Sequence, residues 1–201
     1  MNKAKIAVLV SGGGTNLQAL IDANKSGIIK SGEIVLVISN KPDAYALERA
    51  RKNSIEALVI NNREYSSRAD FEEKLIKEID SRNIDIIVLA GFMCILTEKF
   101  TSHYPKKIIN VHPALIPSFC GEGFYGLKVH EAALKKGVKV TGATVHFVNE
   151  IPDGGEIIMQ KAVEVLDGDT PEVLQRRVME QAEWIILPAS VEKVANEIIN
   201  K

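Results

Sequence analysis

The stretch Ile6-Ala7-Val8-Leu9-Val10-Ser11-Gly12-Gly13-Gly14-Thr15-Asn16 sets five apolar residues against a polar, glycine-rich turn. A continuous apolar run of this length is the pattern of a parallel strand buried on both faces. Behind the turn, Leu17, Leu20 and Ile21 recur at the spacing of one helix face. The unit is therefore strand, glycine turn, helix. Glycines let a backbone take positive φ and come close to a ligand, and the start of the helix offers unpaired N–H groups to an anion. The turn lacks the lysine of a P-loop, and Leu17 stands where a dinucleotide fingerprint has its third glycine. A phosphate monoester suits it better than a dinucleotide; a tight turn that binds nothing is the alternative.

The alternation repeats downstream. Ile34 to Ile38 forms a second strand, ending in Ser39-Asn40-Lys41 with no carboxylate placed to hold an adenosine ribose. Leu47 and Ala50 mark a helix and Ala57 to Ile60 a short strand. Phe71, Leu75, Ile76 and Ile79 make the apolar stripe of a longer helix. Ile84 to Ala90 is another buried strand. Four βα units in sequence predict a parallel, doubly wound sheet with helices on both faces. Gly91-Phe92-Met93-Cys94-Ile95-Leu96 then places bulky apolar groups just past a strand end. They serve equally as core packing or as a slot for a flat aromatic ring.

The 201 residues, 46% hydrophobic and 25% charged, fit one large α/β domain, with halves at about 1–105 and 106–201. A net charge of −1 and the lack of any basic run argue against a nucleic-acid partner. No apolar run is long enough for a membrane span. Cys94 and Cys120, without CxxC spacing, build neither a disulfide framework nor a zinc knuckle, and point to a reducing, cytoplasmic setting. His103, His112, His130 and His146 show no metal-ligand spacing with cysteines or acids, so no metal is expected.

In the second half, Ile108-Ile109-Asn110-Val111-His112-Pro113 is an apolar run ending in two polar side chains and a proline. Alternate residues of a strand share a face, so Asn110 and His112 point the same way. Pro113 cannot continue the ladder, which leaves both groups at the strand's end. An imidazole beside an amide supplies a proton carrier and a fixed donor for acyl-transfer chemistry, although a structural cap is the plainer reading of the pair alone. A long loop, Pro113 to Gly126, and a helix from Lys128 to Lys136 lead to an alternating strand, Val140 to Val148, in which His146 reads as a hydrogen-bonded core histidine. An acid- and glycine-rich turn with Asp153 follows, then the return strand of an antiparallel hairpin, so the sheet is mixed. The last helical stretch has Asp169 or Thr170 as its cap, Pro171 at its first position and a break near Pro188.

Taken in order, Ser11 to Gln18, Ser39-Asn40-Lys41, Leu89 to Met93, Asn110 to Pro117, and Thr144 to Val148 followed by Asp153-Gly154-Gly155 resemble glycinamide ribonucleotide formyltransferases over essentially the whole chain. The resemblance implies a Rossmann-like formyltransferase fold with a mixed, mainly parallel sheet of seven strands. It implies formyl transfer from 10-formyltetrahydrofolate to the amine of glycinamide ribonucleotide, a step of purine synthesis. Asn110, His112 and Asp153 match the catalytic trio, with Asp153 expected to favour the imidazolium of His112 and raise its pKa. Gly13, Gly14, Thr15 and Asn16 match the site for the substrate phosphate, and Glu183 an acid that touches the ribose. Met93, Cys94, Ile95 and Leu96, together with Asn110 and the loop carrying Val148 and Glu150, match the folate pocket. Arg68 matches an arginine that meets the folate's glutamate tail. Cys94 stands where an arginine is common, and Lys128 where a histidine is.

The implied partners are small molecules, as a monomer or a homodimer. Formyltetrahydrofolate hydrolases resemble the same core but carry a domain ahead of a first strand that here starts at about Lys5. Methionyl-tRNA formyltransferases would add a C-terminal domain and a basic face. A non-catalytic sugar-phosphate-binding module would explain the glycine turn but not the trio.

Overall fold

The computed structural model describes residues 3–200. The glycine-turn unit is present as β1 (Ala4–Val10) and α1 (Thr15–Ser26), followed by β2 (Gly32–Ser39), α2 (Tyr45–Lys52), β3 (Glu56–Val59), α3 (Arg68–Asp80), β4 (Ile86–Leu89), α4 (Glu98–His103) and β5 (Ile108–His112). The chain continues through α5 (Leu127–Lys136), β6 (Val140–Phe147), β7 (Ile157–Glu164), α6 (Pro171–Val178) and α7 (Trp184–Ile199). One seven-stranded sheet has the order β3-β2-β1-β4-β5-β6-β7. β1 to β5 are mutually parallel, and β6 runs antiparallel to both β5 and β7.

The two-residue period of β1 splits the core. Ile6, Val8 and Val10 face one side and pack with Leu17 and Leu20 of α1 and Val191 and Ala195 of α7. Ala7 and Leu9 face the other, against Phe71, Leu75 and Ile79 of α3 and Phe100 of α4. Each such fully buried Leu, Ile or Phe contributes roughly 1.5–3 kcal/mol of transfer free energy. The order of strands reverses between β1 and β4, and open α/β sheets keep their ligand crevice at such a switch point, beyond the strands' carboxyl ends. The glycine turn, the 90–96 segment and the Asn110/His112 strand end all lie at that edge.

The sheet is mixed, as expected: β6 pairs antiparallel with both β5 and β7, and its first residues, Val140 to Ala143, run past the end of β5 and pair only with β7. One local expectation is corrected: the last helical stretch does not break at Pro188. A single π turn, Met179–Glu183, joins α6 to α7, and Pro188 lies inside α7. A proline removes one helical hydrogen bond and crowds the carbonyl four residues back, and the widened turn just upstream takes up the irregularity. Thr170, not Asp169, is the cap: its hydroxyl accepts from Val173 N at 3.3 Å.

Candidate active site

The switch-point crevice is tied together at its base by a buried network. Ser11, the last residue before the glycines, accepts the Met93 N–H at 2.8 Å and donates to Asn40 Oδ1 at 2.6 Å. Asn40 Nδ2 in turn donates to Cys94 Sγ at 3.0 Å. The ends of β1, β2 and β4 are thus one hydrogen-bonded unit. Burial pushes the Cys94 thiol up, partly offset by Asn40 and by the nearby Arg68 and Lys41 charges. The charge of Arg68, far from Cys94 in the chain, thus reaches it in the fold. Met93 and Ile95 stand 53% and 57% exposed as an apolar ledge, whereas Leu96 turns inward to the core beside Phe71 and Leu75.

On the opposite flank, Gly14 caps α1 with φ +72°, and a side chain there would stand 2.7 Å from Ala46 Cβ, so the turn requires glycine. Gly13 and Thr15 are exposed. Asn16 Nδ2 donates to Glu183 Oε2 at 2.7 Å. Glu183 is buried on the π turn, and burial raises its carboxyl above the usual range against the pull of Asn16. Asn16 Oδ1 is buried without a partner among the described residues.

The register of the sheet assembles the remaining groups. Leu9, Leu89, Asn110 and His146 lie in one row across β1, β4, β5 and β6. Strands are spaced about 4.8 Å apart, so Asn110 is about 10 Å from β1 and two residues short of the glycine turn's level. Asn110 Nδ2 lies 3.2 Å from His146 Nε2, and His146 Nδ1 is 2.8 Å from the Phe147 carbonyl. His146 Nε2 is thus shared between Asn110 Nδ2 and, 3.5 Å away, Asp153 Oδ1, and Asn110 keeps a second amide N–H for a ligand. His146 is thus a hydrogen-bonded, buried histidine as expected, but its partners belong to the site. Its proximity to Asn110 follows from a cross-strand pairing that no local pattern announces.

Asp153 returns from the turn after β6 with φ +56°. Gly155 allows that return: a side chain there would meet the Phe147 carbonyl at 1.7 Å. Asp153 Oδ2 is 3.4 Å from His112 Nδ1, and Oδ1 is 3.5 Å from His146 Nε2; the Gly121 N–H donates to Oδ2 at 2.9 Å. His112 Nε2 is 2.8 Å from the Phe119 carbonyl, so the 113–126 loop touches both members of the pair. Both ring nitrogens of His112 face acceptors, which favours the imidazolium. Its burial, with a side chain only 5% exposed, acts more strongly, and its pKa lies below the usual histidine value despite Asp153 and Phe119. The expected upward shift is therefore corrected: desolvation outweighs the carboxylate. Burial also works against ionised Asp153, but His146, the Gly121 N–H and His112 outweigh it and hold the carboxyl below its ordinary range. Val148 is half-buried at the end of β6, while Glu150 is exposed on the turn.

A formyl transferase family model matches residues 4–191. The chain is 44% identical over 184 residues to the phosphoribosylglycinamide formyltransferase of Haemophilus influenzae, covering 92% of this chain and 84% of that protein. The crystal structure of glycinamide ribonucleotide transformylase 1 from Symbiobacterium toebii superposes with a TM-score of 0.91 at 41% identity, covering 97% and 89% of the two chains. The chain also matches the trifunctional purine biosynthetic protein adenosine-3 of Gallus gallus at 45% identity, but spans only 19% of its length. No helix among the described residues is long and apolar enough to cross a membrane. On these matches along most of its length, the chain belongs to the formyl transferase family.

Proposed function

We propose that the chain transfers the formyl group of 10-formyltetrahydrofolate to the amine of glycinamide ribonucleotide, with Asn110, His112 and Asp153 as the catalytic residues. The observation that carries this reading is the meeting of the three side chains at the mouth of β5, Asp153 Oδ2 at 3.4 Å from His112 Nδ1 and Asn110 joined to the same cluster through His146. The glycine turn, with Gly13, Gly14, Thr15 and Asn16, takes the phosphate, and Glu183 the ribose. The ledge of Met93, Cys94 and Ile95 suits a flat apolar ring, Leu96 supports it from the core, and Arg68 with Lys41 beside Cys94 suits a carboxylate tail. Val148 and the backbone of the turn through Glu150 close the far wall.

The bound donor supplies an electrophilic formyl carbon. The free amide N–H of Asn110 is aimed to meet the oxygen that gains charge as the substrate amine adds. With its pKa held low, His112 is neutral near pH 7 and takes the proton the amine loses. The same proton returns to the departing arylamine nitrogen, N10 of the donor, as its bond to the formyl carbon breaks, so His112 ends as it began. Asp153 stays ionised throughout and steadies His112 in its charged moment.

Loss of 10-formyltetrahydrofolate, followed with and without glycinamide ribonucleotide, tests the reading. Consumption that depends on the ribonucleotide, with one formylated product per donor consumed, is expected. Consumption without it, releasing formate, would mark a hydrolase instead.

A further inference from the structure

Helix α2 holds the glycine turn from behind, one peptide at a time. The Ala46 N–H donates to Gly12 O at 3.1 Å, and Arg49 Nε–H donates to Gly13 O at 2.8 Å. In a trans peptide the carbonyl and the following N–H point in opposite directions. Drawing the carbonyls of Gly12 and Gly13 toward α2 therefore aims the N–H groups of Gly13 and Gly14 away from it, and neither finds an acceptor among the described residues. Successive N–H groups turned to one side make an anion-binding concavity. Arg49 also reaches the next layer: Nη1 donates to Gln18 Oε1 at 2.9 Å, and the Gln18 N–H donates to Gly14 O at 2.9 Å. Its guanidinium lies over the Tyr45 ring, 5.0 Å from the centroid. Both of its hydrogen-bond acceptors are neutral, so its charge is not cancelled where it stands.

We propose that Arg49 is a positioning residue for the phosphate end of the substrate: it sets the plane of the Gly13–Gly14 peptide, and thereby the affinity of the turn for a phosphate monoester, without touching the reacting atoms. The inference rests on the reading above that this turn holds the substrate's phosphate. Arg49 lies on a different helix, and nothing in the sequence around it announces the role.

The test compares Arg49→Gln and Arg49→Lys with the unchanged chain, using glycinamide ribonucleotide, the phosphate-free glycinamide riboside, and inorganic phosphate as a competitor. Losing a hydrogen bond from a charged donor is expected to raise KM for the ribonucleotide about tenfold in the Gln variant. The inhibition constant of inorganic phosphate should rise in parallel, with kcat and the KM for the folate donor within about twofold. The kcat/KM for the riboside should be unmoved. Equal losses with ribonucleotide and riboside would show a merely structural role and overturn the proposal, as would no change with either. If the unchanged chain itself neither prefers the ribonucleotide over the riboside nor is inhibited by phosphate, the phosphate site fails and the proposal with it.

Discussion

At the scale of single residues, the proposed mechanism separates a donor, Asn110, from a proton carrier, His112. Asn110→Ala and His112→Ala should each lower kcat by about 10²–10³ while the thermal melt stays near that of the parent, since each removes one preorganised group. Steady-state kinetics alongside a melt check this; near-normal turnover in either variant would remove that residue from the mechanism. A pH profile reads the interplay of charge and burial. His112 titrates below 6.5, so kcat/KM should rise along an acid limb below that pH and level off through neutrality. Asp153 acts to raise the His112 pKa, so Asp153→Asn should slow the reaction and move the limb to lower pH. A limb that moves upward would contradict the assignment. That Asn110 and His112 share the end of one strand was legible from its period of two, whereas Asp153, 41 residues on, was matched to them only through the family resemblance. His146 could not be assigned to the site, because its pairing with Asn110 depends on the register of β5 against β6.

At the scale of elements, α5 carries a group that the proposed chemistry leaves idle. His130 is fully buried, neither ring nitrogen has a partner among the described residues, and burial, aided by nearby His112, pushes its pKa down to about 4. The unfolded chain holds a proton there below about 6.5, and the folded chain does not until about pH 4. The unfolded state thus binds more protons in that window, so this contribution to stability is complete above pH 6.5 and lost as pH falls through the window, by about 3 kcal/mol. His112 adds a loss of the same sign, whereas the Asp153 contribution is lost only below its ordinary value of 3.8. Urea unfolding of His130→Leu between pH 4 and 7 should show a flatter profile than the parent; parallel profiles would show that His130 is not buried neutral. The strands and helices themselves were legible from their periods of two and 3.6. The pairing of β6 with β5 and the passage of α7 through Pro188 were not, since both depend on neighbours distant in sequence.

At the scale of the whole molecule, the two core faces and the switch-point crevice make ligand binding and folding one equilibrium. Glycinamide ribonucleotide at 100 times its Kd should add about 2.7 kcal/mol to stability and raise Tm by about 5–10 °C. His112→Ala, with the glycine turn intact, should show the same rise in a thermal-shift measurement, and a chain indifferent to the ribonucleotide would speak against the crevice as its site. The doubly wound half was readable because four strand–helix units announce it; the crevice became visible only once the order of strands placed β4 between β1 and β5. The π turn at Met179–Glu183 matters at this scale too, since α7 packs on α1, β1 and β6. Closed by i→i+5 bonds, that turn spends one more residue on its revolution than an α turn does, and were the same residues drawn to ordinary pitch the surplus one would advance about 100° around the axis. Everything after the turn would then be dialled round by that angle, swinging the greasy side of the final helix off the sheet. The one irregular coil thus serves as the indexing tooth that keeps the two ends of the polypeptide in mesh.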